Sequence, residues 1–218
     1  MFMTAFITLV AAYLIGSVNF AVIFTKKFAS KDIREMGSGN AGATNTMRNC
    51  GFLPGLLTFL CDALKGFAAS GIGFLIFSYL LKTTGNPLYM PIYGAYVCGF
   101  LCMIGHVFPI FFDFRGGKGV AVAVGIFAVC SPVAIAIGLG IFAAVLLVTR
   151  IVSLASVSAT VAVVVLAAIF AERDGTALLW PQILFCVLMG ATIILKHIPN
   201  IKRLISGEES KVNLGRKH

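Results

Sequence analysis

Apolar residues run in blocks of membrane length, and the polar residues gather in the gaps between them. Residues 5–24, 52–81, 91–112, 151–171 and 176–195 are each long enough to cross a hydrocarbon core of about 30 Å. The block 120–148 is too long for one straight span, since it would rise about 43 Å as a helix. Ser131-Pro132 near its middle predicts two spans joined by a tight turn, the first of them short, because proline removes a helix hydrogen bond and restricts the residue before it. The pattern predicts an all-α polytopic membrane protein of seven helices, or six if Pro132 only kinks one. Residues 1–218 read as a single integral membrane domain. The first block is not read as a signal peptide, because no positive residue precedes it and Lys26-Lys27 follow it.

Composition agrees: 59% of the residues are hydrophobic, 11% are charged, and the mean hydropathy is +0.99. The net charge of +9 does not imply nucleic acid, because the cations lie in the gaps rather than along one stripe. In the seven-helix reading one side receives Lys26, Lys27, Lys31, Arg34, Arg48, Arg115, Lys118, Arg150, Lys196, Lys202, Arg203, Lys211, Arg216 and Lys217. The other receives Lys82 and Arg173, and Lys65 stays in the membrane. Fourteen against two places the larger group in the cytoplasm, the N-terminus outside and the C-terminus inside. The six cysteines are scattered without a C-x-x-C pair and read as small packing residues rather than metal ligands.

The first gap, 26–51, holds Gly37-Ser38-Gly39-Asn40-Ala41-Gly42-Ala43-Thr44-Asn45-Thr46-Met47-Arg48. Glycines let several backbone N–H groups turn toward one anion, so this stretch reads as a phosphate cradle at a membrane surface. Gly37-x-Gly39-x-x-Gly42 matches the dinucleotide fingerprint formally, but no strand precedes it and Asp62 falls inside an apolar span. Gly117-Lys118 is no P-loop, since Phe112 stands at its first glycine and Gly119 at its hydroxyl position. What both stretches keep is glycine amides beside a cation, a combination that binds phosphate. Asp62 and Lys65, at i and i+3, read as an internal ion pair facing the bundle interior. His106 is either a general base or a hydrogen-bonded structural histidine, and Ser153 either a ligand to substrate or a helix cap. His197 and Asn200 share a face only if the last helix continues past Pro199.

Taken together, Ser38-Gly39-Asn40-Ala41-Gly42-Ala43-Thr44-Asn45-x-x-Arg48, Gly105-His106-x-Phe108-Pro109 running into Gly116-Gly117-Lys118-Gly119-Val120-Ala121, and His197-x-x-Asn200-Ile201-x-Arg203-Leu204 resemble one family. It is the PlsY family, the bacterial acyl-phosphate-dependent glycerol-3-phosphate acyltransferases. The likeness runs in order from about Gly16 to Lys211 and takes in Asp62-x-x-Lys65-Gly66 and Ser153-Leu154-x-Ser156. It implies a seven-helix enzyme of the bacterial inner membrane with its active site at the cytoplasmic face. That enzyme moves a fatty acyl group from acyl phosphate to the sn-1 hydroxyl of glycerol 3-phosphate, giving lysophosphatidic acid and phosphate. The resemblance implies no metal and no coenzyme A; membrane lipid and the enzyme that forms acyl phosphate are the candidate partners. Departures are Arg115 for a frequent lysine, Val122 for a frequent threonine, Lys196 for arginine and Asn19 for proline.

An acyl phosphate is a mixed anhydride whose phosphate leaves without prior protonation, so the expected catalysis is by positioning and charge neutralisation. Ser38, Gly39, Asn40 and Gly42 are expected to cradle one phosphate, with Gly116 and Gly117 as a second glycine pair. Arg48, Lys118 and Arg203 supply charge. Thr44, Asn45 and Ser153 hydrogen-bond substrate oxygens, while His197 and Asn200 orient the glycerol hydroxyl. His106, His197 and a substrate phosphate oxygen remain alternatives for the base. A transporter of a phosphorylated metabolite is the competing class, but it predicts inverted repeats, and none is visible. Acyltransferases that use acyl-CoA carry H-x-x-x-x-D; the residues five after His106 and His197 are Phe111 and Lys202.

Overall fold

A computed structural model describes residues 1–173 and 179–212; Thr176, Arg216 and Lys217 lie outside the described residues. Among the described residues, six segments are long and apolar enough to cross a membrane: Phe2–Ala29, Phe52–Thr84, Pro91–Phe112, Pro132–Thr149, Val152–Ala171 and Leu179–Lys196. The first is not continuous as the hydropathy predicts. It breaks into α1 (Phe2–Ser17) and α2 (Phe20–Ala29), with Asn19 Oδ1 accepting the Val22 N–H at 3.2 Å as the cap of α2. The break frees the Val18 carbonyl, which accepts a hydrogen bond from Lys65 Nζ at 2.7 Å.

After α3 (Ala43–Cys50) come α4 (Phe52–Thr84) and α5 (Pro91–Val107). The latter stops short of the predicted 112 because Pro109 pushes Phe108 out of helical backbone. The long apolar block divides where Ser131-Pro132 predicts, into α6 (Val120–Cys130) and α7 (Pro132–Thr149), with Pro132 in the first turn of the second helix. The 11 residues of α6 rise about 16 Å. Then follow α8 (Val152–Arg173), α9 (Leu179–Lys196) and α10 (Ile198–Ile205). His197 interrupts the last span, so Pro199 falls in the first turn of a new helix, where proline is tolerated.

The long helix α4 is the spine, and its neighbours approach to backbone contact. A Cβ on Gly73 would lie 2.2 Å from the Gly94 carbonyl oxygen of α5, and one on Gly66 would lie 2.3 Å from the Val122 oxygen of α6. Small residues at crossings of this kind replace the hydrophobic drive that lipid does not supply.

One end of the bundle gathers the polar gaps. Arg34 pairs with Asp32 at 2.9 Å and donates to the Phe112 carbonyl at 2.9 Å, joining the loop before α3 to the loop after α5. The tail closes the same end: Arg48 donates to the Ser210 carbonyl at 3.2 Å, and the Val212 N–H to the Arg150 carbonyl at 2.7 Å. Thr83, at the far end of α4, reaches Met1. The N-terminus therefore lies opposite the polar end.

Candidate active site

A cavity of about 600 Å³ opens at the polar end and runs between α6, α7, α8 and α9. Ser38, Asn40, Gly42, Thr44, Arg48, Lys118, Ser153, His197, Asn200 and Arg203 line its polar part, and Val124, Phe127, Leu139, Phe142, Val163 and Gly190 its apolar part. Four separate stretches of sequence meet there.

Lys118 sits in the turn before α6, with Gly119 in left-handed backbone at φ +88. Its Nζ donates to Asn200 Oδ1; Asn200 Nδ2 donates to Glu209 at 2.6 Å, and Arg203 Nε to the same carboxylate at 2.7 Å. Burial pushes the Lys118 amine down to about 8; Glu209 opposes that, while Arg203 and Arg48 add to it. Burial acts to raise Glu209, but the hydrogen bond from Asn200, with Arg203 beside it, holds the carboxyl below its usual range. The His197 Nδ1 lies 2.8 Å from the Ile193 carbonyl, a pure acceptor, so Nδ1 carries the proton and Nε2 presents a lone pair. Burial and the neighbouring Lys118 push that ring down to about 4. Ser153 Oγ is buried on the cavity wall beside Glu209, whose carboxylate it helps to stabilise, and makes no well-aligned hydrogen bond.

The glycine loop is built differently from the expected cradle. The Ser38 N–H donates to Asn45 Oδ1 at 3.2 Å, Gly39 N–H to the Met36 carbonyl at 2.9 Å and Gly42 N–H to the Asn40 carbonyl at 3.0 Å. Those amides are spent inside the loop. Asn45 is spent too: Nδ2 donates to the carbonyls of Met36, Asn40 and Ile33, and Oδ1 also accepts from Asn49. It organises the loop, and lines the cavity with its amide already engaged. Gly39 turns the chain at φ +68 and is not part of the cavity wall. What faces the cavity is the start of α3, at Gly42, Ala43 and Thr44, which no side chain caps. Uncapped N–H groups and the helix dipole favour negative charge at that end, with Ser38 exposed beside it.

Gly116 and Gly117 also lie outside the cavity wall. A Cβ on Gly116 would stand 1.9 Å from the His106 carbonyl oxygen, and the Gly117 N–H donates to that same oxygen at 3.1 Å. These glycines permit close packing of the Lys118 turn. Sequence reasoning missed Glu209, which holds Asn200 and Arg203. The one signal was that Glu208 and Glu209 are the only acids after Lys196. Among the described residues, no three His, Cys, Asp or Glu side chains gather as a metal site.

Comparison with known proteins identifies the family. The sequence model of the family described as glycerol-3-phosphate acyltransferase matches residues 6–207. The chain is 39% identical over 206 residues to glycerol-3-phosphate acyltransferase 2 of Bacillus anthracis, covering 94% of this chain and 98% of that one. It is 41% identical over 210 residues to the glycerol-3-phosphate acyltransferase of Thermoanaerobacter sp. (strain X514), covering 96% of each. Among solved structures it resembles PlsY, an integral membrane glycerol 3-phosphate acyltransferase, in its glycerol 3-phosphate form. There the TM-score is 0.77 at 33% identity, covering 96% of each chain. For the lysophosphatidic acid form the TM-score is 0.74 at 32% identity, over 96% of this chain and 95% of that one.

Proposed function

Because the chain belongs to the glycerol-3-phosphate acyltransferase family and carries that activity, we propose that its acyl donor is an acyl phosphate and that it works at the cytoplasmic face of a bacterial inner membrane. The observation that carries this reading is one cavity with cations at its mouth and an apolar groove behind them. A phosphate head on a fatty chain fits both parts.

The hydroxyl oxygen on sn-1 of glycerol 3-phosphate attacks the acyl carbonyl carbon. The new ester C–O bond forms, the bond from that carbon to the phosphate oxygen breaks, and phosphate leaves with the electron pair. Lys118 and Arg48 neutralise the phosphates, the α3 N-terminus with Ser38 receives phosphate oxygens, and Ser153 and Thr44 add hydrogen bonds. Arg203 adds charge at the mouth and, with Asn200, is held by Glu209. His197 Nε2 accepts a hydrogen bond from the attacking hydroxyl and aligns it. A ring at about 4 is a weak base; a phosphate monoester, with a second pKa of about 6, is stronger. The proton therefore passes to a phosphate oxygen of the substrates.

The donor is tested by assaying purified protein in parallel with acyl phosphate, acyl-CoA and acyl carrier protein thioester. Phosphate release in step with lysophosphatidic acid is expected from the first alone. Efficient turnover of acyl-CoA without any acyl-phosphate-forming enzyme overturns the reading.

Seven spans, with the N-terminus outside, are supported by the path of the chain around the cavity. Lys118 opens α6 at the polar end and Arg150, which follows α7, is back at that end, bonded to the tail. On this reading the short α6 and the longer α7 are an outward and a return pass. Single cysteines at Ser38, Arg115 and Ser210, in a background free of the six native ones, are expected to react with impermeant reagent only after the cytoplasmic face is opened. Labelling at Arg115 from outside intact cells sinks the topology.

A further inference from the structure

Beside the Lys118 turn lies a buried ionisable set that the reaction above leaves unused, two of whose members, Asp62 and His106, reach the wall of the same cavity. Asp62, Lys65 and His106 are respectively 1%, 5% and 4% exposed. Lys65 Nζ donates to the Val18 carbonyl at 2.7 Å and lies 3.0 Å from His106 Nδ1, while Asp62 Oδ1, 2.8 Å away, is its ion-pair partner without forming an aligned hydrogen bond. An ammonium only donates, so Nδ1 is the acceptor and the ring proton sits on Nε2. Asp62 Oδ1 lies farther from Nδ1, at 3.5 Å, than the ammonium does.

On the ring's other side the two glycine loops meet. A Cβ on Gly117 would stand 2.3 Å from His106 Nε2 and 2.6 Å from the Ala41 carbonyl oxygen, so ring, glycine and carbonyl share one small space. The His106 carbonyl meanwhile holds the Gly117 N–H. A hydrogen-bond donor in that space faces the backbone just before the start of α3 and just before Lys118.

We propose that Asp62, Lys65 and His106 form a positioning device in which Lys65 fixes His106 as the Nε2–H tautomer, and the ring then holds the Ala41 and Gly117 loops in register so that Ser38 and Lys118 face one substrate. His106 in this arrangement is no general base. The device rests on the acyltransferase reading of the cavity, but its first test does not depend on any donor.

Histidine nitrogens labelled with 15N are read in the full-length protein in detergent or nanodisc. His106 is expected to show the neutral Nε2–H pattern. A ring protonated at Nδ1, alone or at both nitrogens, overturns the proposal. The second test replaces the ion pair by apolar side chains of similar size, Asp62→Leu with Lys65→Met, which leaves no unpaired buried charge. The double variant is expected to keep its thermal midpoint within a few degrees, show mixed His106 tautomers, and lose about 10- to 100-fold in kcat. Unchanged kcat and an unchanged tautomer would make the pair merely structural. His106→Gln keeps a donor near Nε2 but no base. It is expected to retain kcat within about tenfold, using whichever donor the parent turns over, with the larger effect on KM. A fall in kcat as deep as that of His106→Ala restores the general base.

Discussion

Lys118→Ala is expected to lower kcat/KM by at least about 10³. Removing one neutral donor from a developing anion costs about 10²–10³, and here a full charge goes. The same change strips Asn200 of the donor on its Oδ1 and leaves Glu209 without the nearby ammonium that offsets its charge. Lys118→Arg keeps the charge, but the planar fork replaces a point donor in a buried turn, so recovery is expected to be small. The pH profile identifies the group. Because burial lowers the amine to about 8, the cation needed for phosphate is present below that pH and lost above it. In the free enzyme kcat/KM should therefore fall above about pH 8. Glu209→Gln removes the one influence that raises the amine, so the alkaline limb should move to lower pH. In the residual activity of Lys118→Arg the limb should vanish, since guanidinium stays charged. An alkaline limb that persists unchanged in the arginine variant assigns it to another group.

Gly125→Val is expected to be the most damaging change away from the cavity wall. A Cβ at this position on α6 would stand 1.8 Å from the Ala63 carbonyl oxygen and 2.6 Å from the Phe67 nitrogen of α4. Both are backbone atoms of a continuous helix, so no rotamer change relieves the clash and the two helices must separate. Overpacking typically costs about 1–3 kcal/mol, and contact with rigid backbone puts this case at about 3 kcal/mol or more. The displaced helix carries the Lys118 turn with it, so activity should fall along with the thermal midpoint in detergent. Gly140→Val is the control, because a Cβ there meets nothing within 4 Å. Equal loss in the two variants would mean that side-chain volume alone, not the α4–α6 crossing, sets the result.

Much of the scaffold was legible because hydropathy and length are read residue by residue. The division at Ser131-Pro132 followed from what proline does to a helix anywhere. The break at Val18-Asn19 did not, because it is stabilised from outside, by Lys65 reaching the freed carbonyl 47 residues away. Pro199 made a continuous final helix doubtful, and the chain indeed restarts at Ile198.

The same divide runs through the site. Polar residues stranded between apolar blocks announced themselves, and Ser38, Arg48, Lys118, His197 and Asn200 do line one cavity. Asn45 is of the same residue type and was assigned to substrate, yet its amide is consumed by the loop that carries it. Glu209 was marked only by being one of two acids in a basic tail, and matters because the tail folds back to Arg48 and Asn200.

By itself, then, the sequence determined that this chain is a helical membrane protein, that its cations and glycine turns occupy the gaps between spans, and that its motifs are those of a glycerol-3-phosphate acyltransferase. Transfer of apolar side chains into lipid is nearly additive along a chain, and positive charge biases each gap separately. Only the tertiary structure decided which amides remain free for an anion, which groups face the ring nitrogens of His106 and His197, and which of the polar side chains are tied up within their own loop. A donor or acceptor can be spent on a partner anywhere in the chain, and that partner is known only once the helices have packed.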